Sequence, residues 1–203
     1  MNLTYKGGPG LIILSIMALL LSCVKISNAQ KTNSFVNPEK LPFAIYTDST
    51  QELNSIDSQF VTVNGIHIGD PIKYLTKKFG PPDSYDKGYD PDEDKDSFLV
   101  ISYKKSFFTS ESNCGKISSF SVHDRRFLLF NIIKVGDNIA FVETHFPLSF
   151  KNRYTEDSIS YIIIGFRNWC YFIPASECPY LMIEYNTTDN KIVSFYITND
   201  SLD

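Results

Sequence analysis

The chain has 203 residues, 43% of them hydrophobic and 14% aromatic, with a formal net charge of −4. That length allows one or two domains, and the sixteen Phe and twelve Tyr favour strands, because flat side chains pack well on a pleated surface. The acidic balance argues against a nucleic-acid partner, which needs clustered cations facing phosphates; the basic residues pair only as Lys77-Lys78, Lys104-Lys105 and Arg125-Arg126.

Met1–Gly10 carries one charge, Lys6, and Leu11–Leu21 is a nearly pure apolar run. A spanning helix needs about 20 apolar residues, so residues 1–22 read as a signal peptide. The run ends in Leu20-Leu21-Ser22-Cys23, which resembles the lipobox of bacterial lipoproteins, with Leu three residues before the Cys and a small residue before the cut. The resemblance implies that Cys23 becomes the lipidated first residue of the mature protein. Its thiol is a nucleophile able to take a diacylglycerol, and each acyl CH₂ buried in the membrane contributes roughly 0.8 kcal/mol. It also implies an outer-membrane or cell-surface location, since Val24 is not the Asp linked to inner-membrane retention. Two other readings stay open. Ser27-Asn28-Ala29 before Gln30 has the small residues of an ordinary signal-peptidase site, which would leave a secreted or periplasmic protein, and the apolar run would serve uncleaved as a membrane anchor.

Residues 23–58 are polar, with Pro38 and Pro42 and scattered apolar side chains. Such a composition buries too little surface to offset chain entropy. It is expected to be a flexible tether, with Leu41–Tyr46 as a short ordered piece docking on the domain.

A first unit is expected over residues 59–125. Phe60–Val63 and Ile66–Ile68 flank Asn64-Gly65, a tight-turn dipeptide. Asp70 is placed to cap a helix whose first position is Pro71. Ile72, Leu75 and Phe79 form its apolar stripe, Lys77 and Lys78 sit in its last turn, and Gly80-Pro81-Pro82 stop it. A second unit, residues 126–203, repeats the plan at Ile133–Leu148: Gly136-Asp137 matches Gly69-Asp70, Ile139 matches Ile72, Val142 matches Leu75 and Phe146 matches Phe79. Strand-like runs follow each helix, Phe98–Phe108 and Lys116–His123 in the first unit. The second has Ile159–Phe166, Trp169–Ile173, Tyr180–Tyr185 and Lys191–Thr198, with Arg126–Ile133 as a bridging strand. The expected class is α+β: two tandem helix-plus-antiparallel-sheet repeats behind a lipoprotein signal and polar tether.

The pattern I-x-I-G-D-x-I-x-x-L-x-x-x-F-G-x-P at Ile66–Pro82, followed by strands ending in K-I-x-x-F, resembles small bacterial outer-membrane lipoproteins of the SmpA/OmlA type. Its doubling is similar to the β-lactamase-inhibitor-protein fold, and that resemblance implies a concave sheet gripping a protein partner.

Catalytic patterns are absent. His67, His123 and His145 have no metal-ligand spacing, and there is no nucleophile elbow or phosphate loop. Asp90-x-Asp92-x-Asp94 imitates the first ligands of a calcium loop, but Lys95 stands where the turn glycine belongs and Ile101 where the bidentate Glu belongs, so residues 83–96 read as a solvated loop. In an oxidising compartment Cys170 and Cys178 are expected to form a disulfide clipping a short loop, worth about 2 kcal/mol. Cys114 is then an odd thiol or the true partner of one of them. Trp169 reads as core packing or an interface anchor.

The expected function is a non-enzymatic envelope lipoprotein without cofactor or metal, held to the membrane at Cys23 and binding another envelope or extracellular protein. That expectation requires several Tyr or Phe on the sheet face opposite the helices; a face of Ser, Thr and Lys would exclude it. The alternative is a small-molecule, glycan-binding or hydrolytic lipoprotein. It requires converging carboxylates, such as Glu184 near Asp189 or residues 90–96 near His123.

Overall fold

Strands carry the architecture. The computed structural model describes residues 41–48, 52–89, 96–111, 115–167 and 179–198, all within one unit, Val36–Asp203. In chain order the strands are β1 (Tyr46–Asp48), β2 (Leu53–Ile56), β3 (Thr62–Val63), β4 (Ile66–His67), β5 (Ser84–Tyr89) and β6 (Asp96–Tyr103). They continue with β7 (Ser106–Glu111), β8 (Ile117–Val122), β9 (Tyr154–Glu156), β10 (Ile159–Phe166), β11 (Tyr180–Asn186) and β12 (Lys191–Thr198). The helices α1 (Lys73–Phe79), α2 (Ala140–His145) and α3 (Pro147–Lys151) span only 7, 6 and 5 residues.

This corrects the expected fold class. Instead of two separate helix-plus-sheet repeats, one 10-stranded sheet runs through both halves in the order β1-β2-β10-β11-β12-β8-β7-β6-β5, with β9 also on β10. It is mixed rather than antiparallel, because β2 runs parallel to β10. The physical reason lies at the seam. β8 and β12 would each be the bare edge of its own sheet, and edges are reactive toward other strands. They pair with each other instead, Phe195 opposite Val122 and Tyr196 opposite Ser121. Beneath them the Phe120 and Phe195 rings meet edge-on at 6.3 Å. The halves therefore share one core.

What recurs between residues 66–82 and 133–148 is local. Gly69 and Gly136 both have positive φ, +88° and +89°. Gly69 donates its N–H to Ile117 O and Gly136 to Ile192 O, each at 2.7 Å. Ile117 and Ile192 return bonds to Asp70 O and Asp137 O, each at 2.9 Å. Each half also has a bulge in the pairing of its last strand, at Thr109/Ser110 and at Glu184/Tyr185, and the first half has a further one at Gly88/Tyr89.

That same pairing delays the helix. Asp70 does not cap it: with residues 69–72 already bonded to the start of β8, the helix begins at Lys73 and the Asp70 carboxylate accepts the N–H of His67 at 2.9 Å. Asp137 does the same for Lys134 at 3.0 Å. The stop is as expected: Gly80 follows α1 with φ +83° and donates its N–H to Thr76 O. In the second half Pro147 starts α3 rather than ending the helical stretch, as suits a residue with no N–H to satisfy at a helix's first position.

Other expectations change for equally local reasons. Phe98–Phe108 is not one strand but the β6–β7 hairpin, turning at Lys104, whose φ is +55°. Residues 84–89 of the acidic tract form edge strand β5 rather than loop. Arg126–Ile133 is no strand: Phe130 and Asn131 both have positive φ, which an extended chain does not tolerate. The segment nevertheless buries Phe127, Leu129, Phe130 and Ile133, and pairs with the β3–β4 hairpin through Asn64 N–H to Leu128 O and Leu128 N–H to Asn64 Oδ1, both 2.8 Å.

The stretch assigned to the tether is ordered from Leu41 among the described residues. Phe43 stacks on Phe60 at 5.2 Å and meets Phe130 at 5.1 Å. Asn54 explains the placing of β2. Its buried side-chain oxygen accepts the N–H groups of Leu148 and Ser149, at 2.9 and 3.1 Å, in the first turn of α3, while its own N–H donates to Ser149 Oγ at 2.8 Å. These first-turn donors have no partner within the helix, so a residue ninety-odd positions away supplies the cap and brings β2 beside β10.

Candidate functional site

The three helices lie on one face of the sheet. Phe79 of α1 meets Tyr103 at 5.9 Å, and Phe150 of α3 stacks on Tyr185 at 6.0 Å. Strand alternation sends every second residue to the other, outer face. In β10 the inner residues Ser160, Ile162, Ile164 and Phe166 are buried, leaving Tyr161 and Ile163 outward. The register then sets Tyr161 opposite Glu184 and Ile163 opposite Met182. Across β11, Glu184 faces Ser194 and Met182 faces Tyr196.

One row of this outer face converges. Tyr154 on β9 lies 5.9 Å from Tyr161, ring to ring. Tyr161 neighbours Glu184, whose Oε2 accepts the Ser194 hydroxyl and whose Oε1 accepts the Tyr196 hydroxyl at 3.1 Å. The same Tyr196 hydroxyl lies 2.7 Å from Met182 Sδ, and Met182 is 1% exposed although it is outside the main core cluster. Burial, then the Glu184 charge, push the Tyr196 hydroxyl far above the ordinary tyrosine range. Burial likewise raises Tyr161, with Glu184, Glu156, Tyr154 and Asp157 adding to it. Both hydroxyls are therefore held protonated, in a negative local field. Sequence reasoning named Glu184 but missed its partners. The signal was there in the period-2 spacing of Met182-x-Glu184 and Ser194-x-Tyr196; the register that joins the two strands was not.

Across the seam the outer face changes character. Phe107 is 39% exposed, and around it the outward residues are hydroxyls: Thr109 bonds Ser118 at 3.0 Å and Ser119 at 2.6 Å. The exposed aromatics of the outer face are thus divided, Tyr154 at 52% in the β9–β12 half, beside half-buried Tyr161 and Tyr196, and Phe107 in the β6–β8 half, among Ser, Thr and Val100.

Ser121 Oγ on β8 and His123 Nε2 just past its end are 3.0 Å apart. A serine–histidine pair needs backbone donors aimed at a developing oxyanion. The neighbouring backbone is engaged instead: Ser121 is in register with both Tyr196 and Phe107, and the His123 and Asp124 N–H groups donate to Ser106 Oγ at 2.9 and 3.1 Å. Among the described residues nothing beside the pair completes a nucleophilic site.

The remaining candidates fall apart or lie elsewhere. Glu184 is engaged by Ser194 and Tyr196 whereas Asp189 accepts the Lys191 N–H at 3.1 Å, so the two carboxylates have separate roles. His67 Nδ1 is 3.4 Å from Asp70 Oδ2 at an exposed turn. His145 donates Nδ1–H to Phe141 O at 2.8 Å and stacks on that ring at 4.1 Å. Among the described residues no group of three or more His, Cys, Asp or Glu is placed to hold a metal, and no helix is long and apolar enough to cross a membrane. Cys23, Cys114, Trp169, Cys170, Cys178 and Asp90, Asp92 and Asp94 lie outside the described residues.

No family model and no curated protein matches the chain. Among solved structures it is similar to an extracellular protein containing a SCP domain from Bacillus anthracis str. Ames, at 10% identity and a TM-score of 0.39. The alignment covers 86% of this chain and 50% of that one, so the chain spans about half the length of that protein. A likeness this distant bears on neither fold nor function.

Proposed function

We propose that the protein is a non-enzymatic, exported lipoprotein, anchored through Cys23 at the outer membrane or cell surface, whose β9–β12 outer face docks another protein. The observation that carries this reading is the tyrosine row of the outer face: Tyr154, 52% exposed, meets half-buried Tyr161 ring to ring on one rigid sheet, with half-buried Tyr196 two strands on. Such residues dominate binding at protein interfaces, because they bury much area at little entropic cost. The Ser/Thr half would then be the solvated side of the molecule.

The test places a photo-crosslinking residue at Tyr154 or at Phe107 in the full chain in its native membranes. A discrete adduct from position 154 and none from 107 is the expected result. Equal labelling at both, or none at 154, removes the reading. Cys23→Ala should move the protein from the membrane to the soluble fraction; unchanged partitioning would remove the lipid anchor from the proposal.

A further inference from the structure

Three adjacent pairs of cations, Lys77-Lys78, Lys104-Lys105 and Arg125-Arg126, lie far apart in the chain, and each borders an aromatic residue: Phe79, Tyr103 and Phe127. The fold packs those three rings together. Phe79 meets Phe127 at 4.8 Å and Tyr103 at 5.9 Å, and Tyr103 meets Phe127 at 6.2 Å. All six cations are exposed. Pairs that look like separate solvated edges in the sequence are thus gathered at one end of the β5–β8 half.

Hydrogen bonds fix the same convergence. Tyr103 OH donates to Gly80 O at 3.1 Å, which ties the β6–β7 turn to the end of α1. Ser106 Oγ accepts the His123 and Asp124 N–H groups at 2.9 and 3.1 Å, which ties that turn to the segment after β8. The Arg126 guanidinium lies 5.8 Å from the Tyr103 centroid and 5.2 Å from that of Phe127. Three carboxylates border the cations: Asp83 accepts the Lys104 N–H, Asp86 accepts the Ser84 hydroxyl, and Asp124 pairs with Arg126 Nε at 3.3 Å. Among the described residues the surface is therefore positive, in a chain whose net charge is −4. Gathering like charges costs the fold repulsion, which an anionic surface laid across them relieves.

Two further observations say what that anionic surface is. Tyr74, one turn before Lys77 and Lys78 on α1, is 45% exposed, and Tyr85, whose hydroxyl is 3.4 Å from Thr76 Oγ1, is 53% exposed. Lysine and tyrosine each join an apolar body to a polar tip, the combination that suits the headgroup layer of a membrane. The described chain also enters beside this surface. Phe43 stacks on Phe60, just before the β3–β4 hairpin, and Lys78 Nζ donates to Asn64 O in that hairpin's turn.

We propose that this end of the molecule lies on the membrane, with the six cations against the phosphates of anionic lipids and Tyr74 and Tyr85 at headgroup level. At no more than about 3.5 Å per residue, the stretch from Cys23 to Leu41 keeps the domain within about 60 Å of a lipid anchor. An acidic protein would offer similar charge, but the tether holds a membrane at this distance whatever the partner. Each basic residue near such a surface adds attraction that salt screens, and a basic patch is the second signal that makes anchoring stable. This rests on the membrane location of the previous subsection and not on its docking face, with which it shares no residue.

Co-sedimentation of the full chain, with Cys23 unmodified, on vesicles of phosphatidylcholine with or without phosphatidic acid tests it. Phosphatidylcholine alone sets the baseline of the N-terminal apolar run. Phosphatidic acid should raise binding by roughly a hundredfold, and high salt should reverse the gain. Lys104→Gln with Lys105→Gln should lower binding to the anionic vesicles about tenfold. Lys116→Gln with Lys151→Gln, which removes two exposed cations elsewhere, should leave it unchanged. Tyr74→Ser should cost a smaller factor than the first pair. Equal loss in the two double variants would mean general electrostatics and overturn the proposal. Polyglutamate or duplex DNA bound as tightly as the anionic vesicles would mean a surface for any polyanion and overturn the commitment to lipid. If Cys23→Ala releases the protein from salt-washed membranes while the vesicles show no charge dependence, the anchor stands and this surface falls. If charge dependence is found but Cys23→Ala stays with those membranes, the surface stands and the lipid anchor falls.

Discussion

The two halves of the sheet are alike beneath and unlike above. On the inner face both are closed by the same device, a Gly-Asp turn bonded to the first residue pair of the last strand, and both contribute buried aromatics to one core, Tyr103, Phe108 and Phe120 on one side and Tyr185 and Phe195 on the other. On the outer face one half carries Tyr154, Tyr161, Glu184 and Tyr196, and the other Phe107, Thr109, Ser119 and Ser121. Packing constrains the inner face in both halves, since each side chain there must fit its neighbours. The outer face is less tightly held, although Met182 and Ser194 are buried there. It is where one half can specialise while the other stays solvated.

The sharpest way to break this comparison is at the seam. Phe195→Ala should cost roughly 3–5 kcal/mol, as for other buried phenylalanines, and urea unfolding should remain one transition. Two transitions would mean that the halves hold separate cores. Next is Asn54→Ala, which strips the cap from α3 and leaves buried donors unmet; about 2 kcal/mol should be lost. A loss below roughly 0.5 kcal/mol, near the noise for surface changes, would mean that β2 is not held by that cap.

A smaller effect compares the two turns directly. Gly69→Ala and Gly136→Ala both force a side chain into left-handed backbone, costing roughly 1–2 kcal/mol. The cost at Gly136 should be the greater, since its new Cβ would lie 3.3 Å from Arg125 Nε while the space at Gly69 is open. Reversal of that order in thermal unfolding would mean the two turns are not equivalent in the way their hydrogen bonds suggest.

The smallest effect at neutral pH is electrostatic. The Tyr196 pKa is raised above its unfolded value of 10.0. The folded state therefore holds that proton more tightly, and the contribution is fully present below about pH 10 and declines as pH rises beyond it. Tyr196→Phe should be slightly the less stable at pH 7, and the parent should lose stability more steeply above pH 10, so that the two converge. Identical alkaline limbs would mean that neither burial nor Glu184 raises the Tyr196 hydroxyl.

Much of the local structure was legible from residues alone. Asn64-Gly65 gives a tight turn with both φ positive, Gly80 ends α1, and the alternation of residues 159–166 marks a half-buried strand. The helix start was misplaced because nothing in Asp70-Pro71 reveals that the backbone around it is already bonded to Gly115 and Ile117. Arg126–Ile133 misled for a related reason: its apolar residues are buried by anchoring a turn, which periodicity does not distinguish from a short strand.

The candidate site was legible only in fragments. Glu184 drew attention as a lone strand carboxylate, and Asp189 looked its natural partner at five residues' distance. The register of β11 against β12 gave it Ser194 and Tyr196 instead.

By itself the chain sequence determined β8, β10, β11 and β12, the Asn64-Gly65 turn and the end of α1, because these follow from side-chain shape and spacing within a few residues. Only the tertiary structure decided that β8 and β12 join, that β2 enters parallel beside β10, and that Tyr161, Glu184 and Tyr196 form one row. Those are choices among alternative pairings of similar strands. They are settled by long-range contacts such as Phe120 on Phe195 and Asn54 on α3, which leave no trace in local sequence.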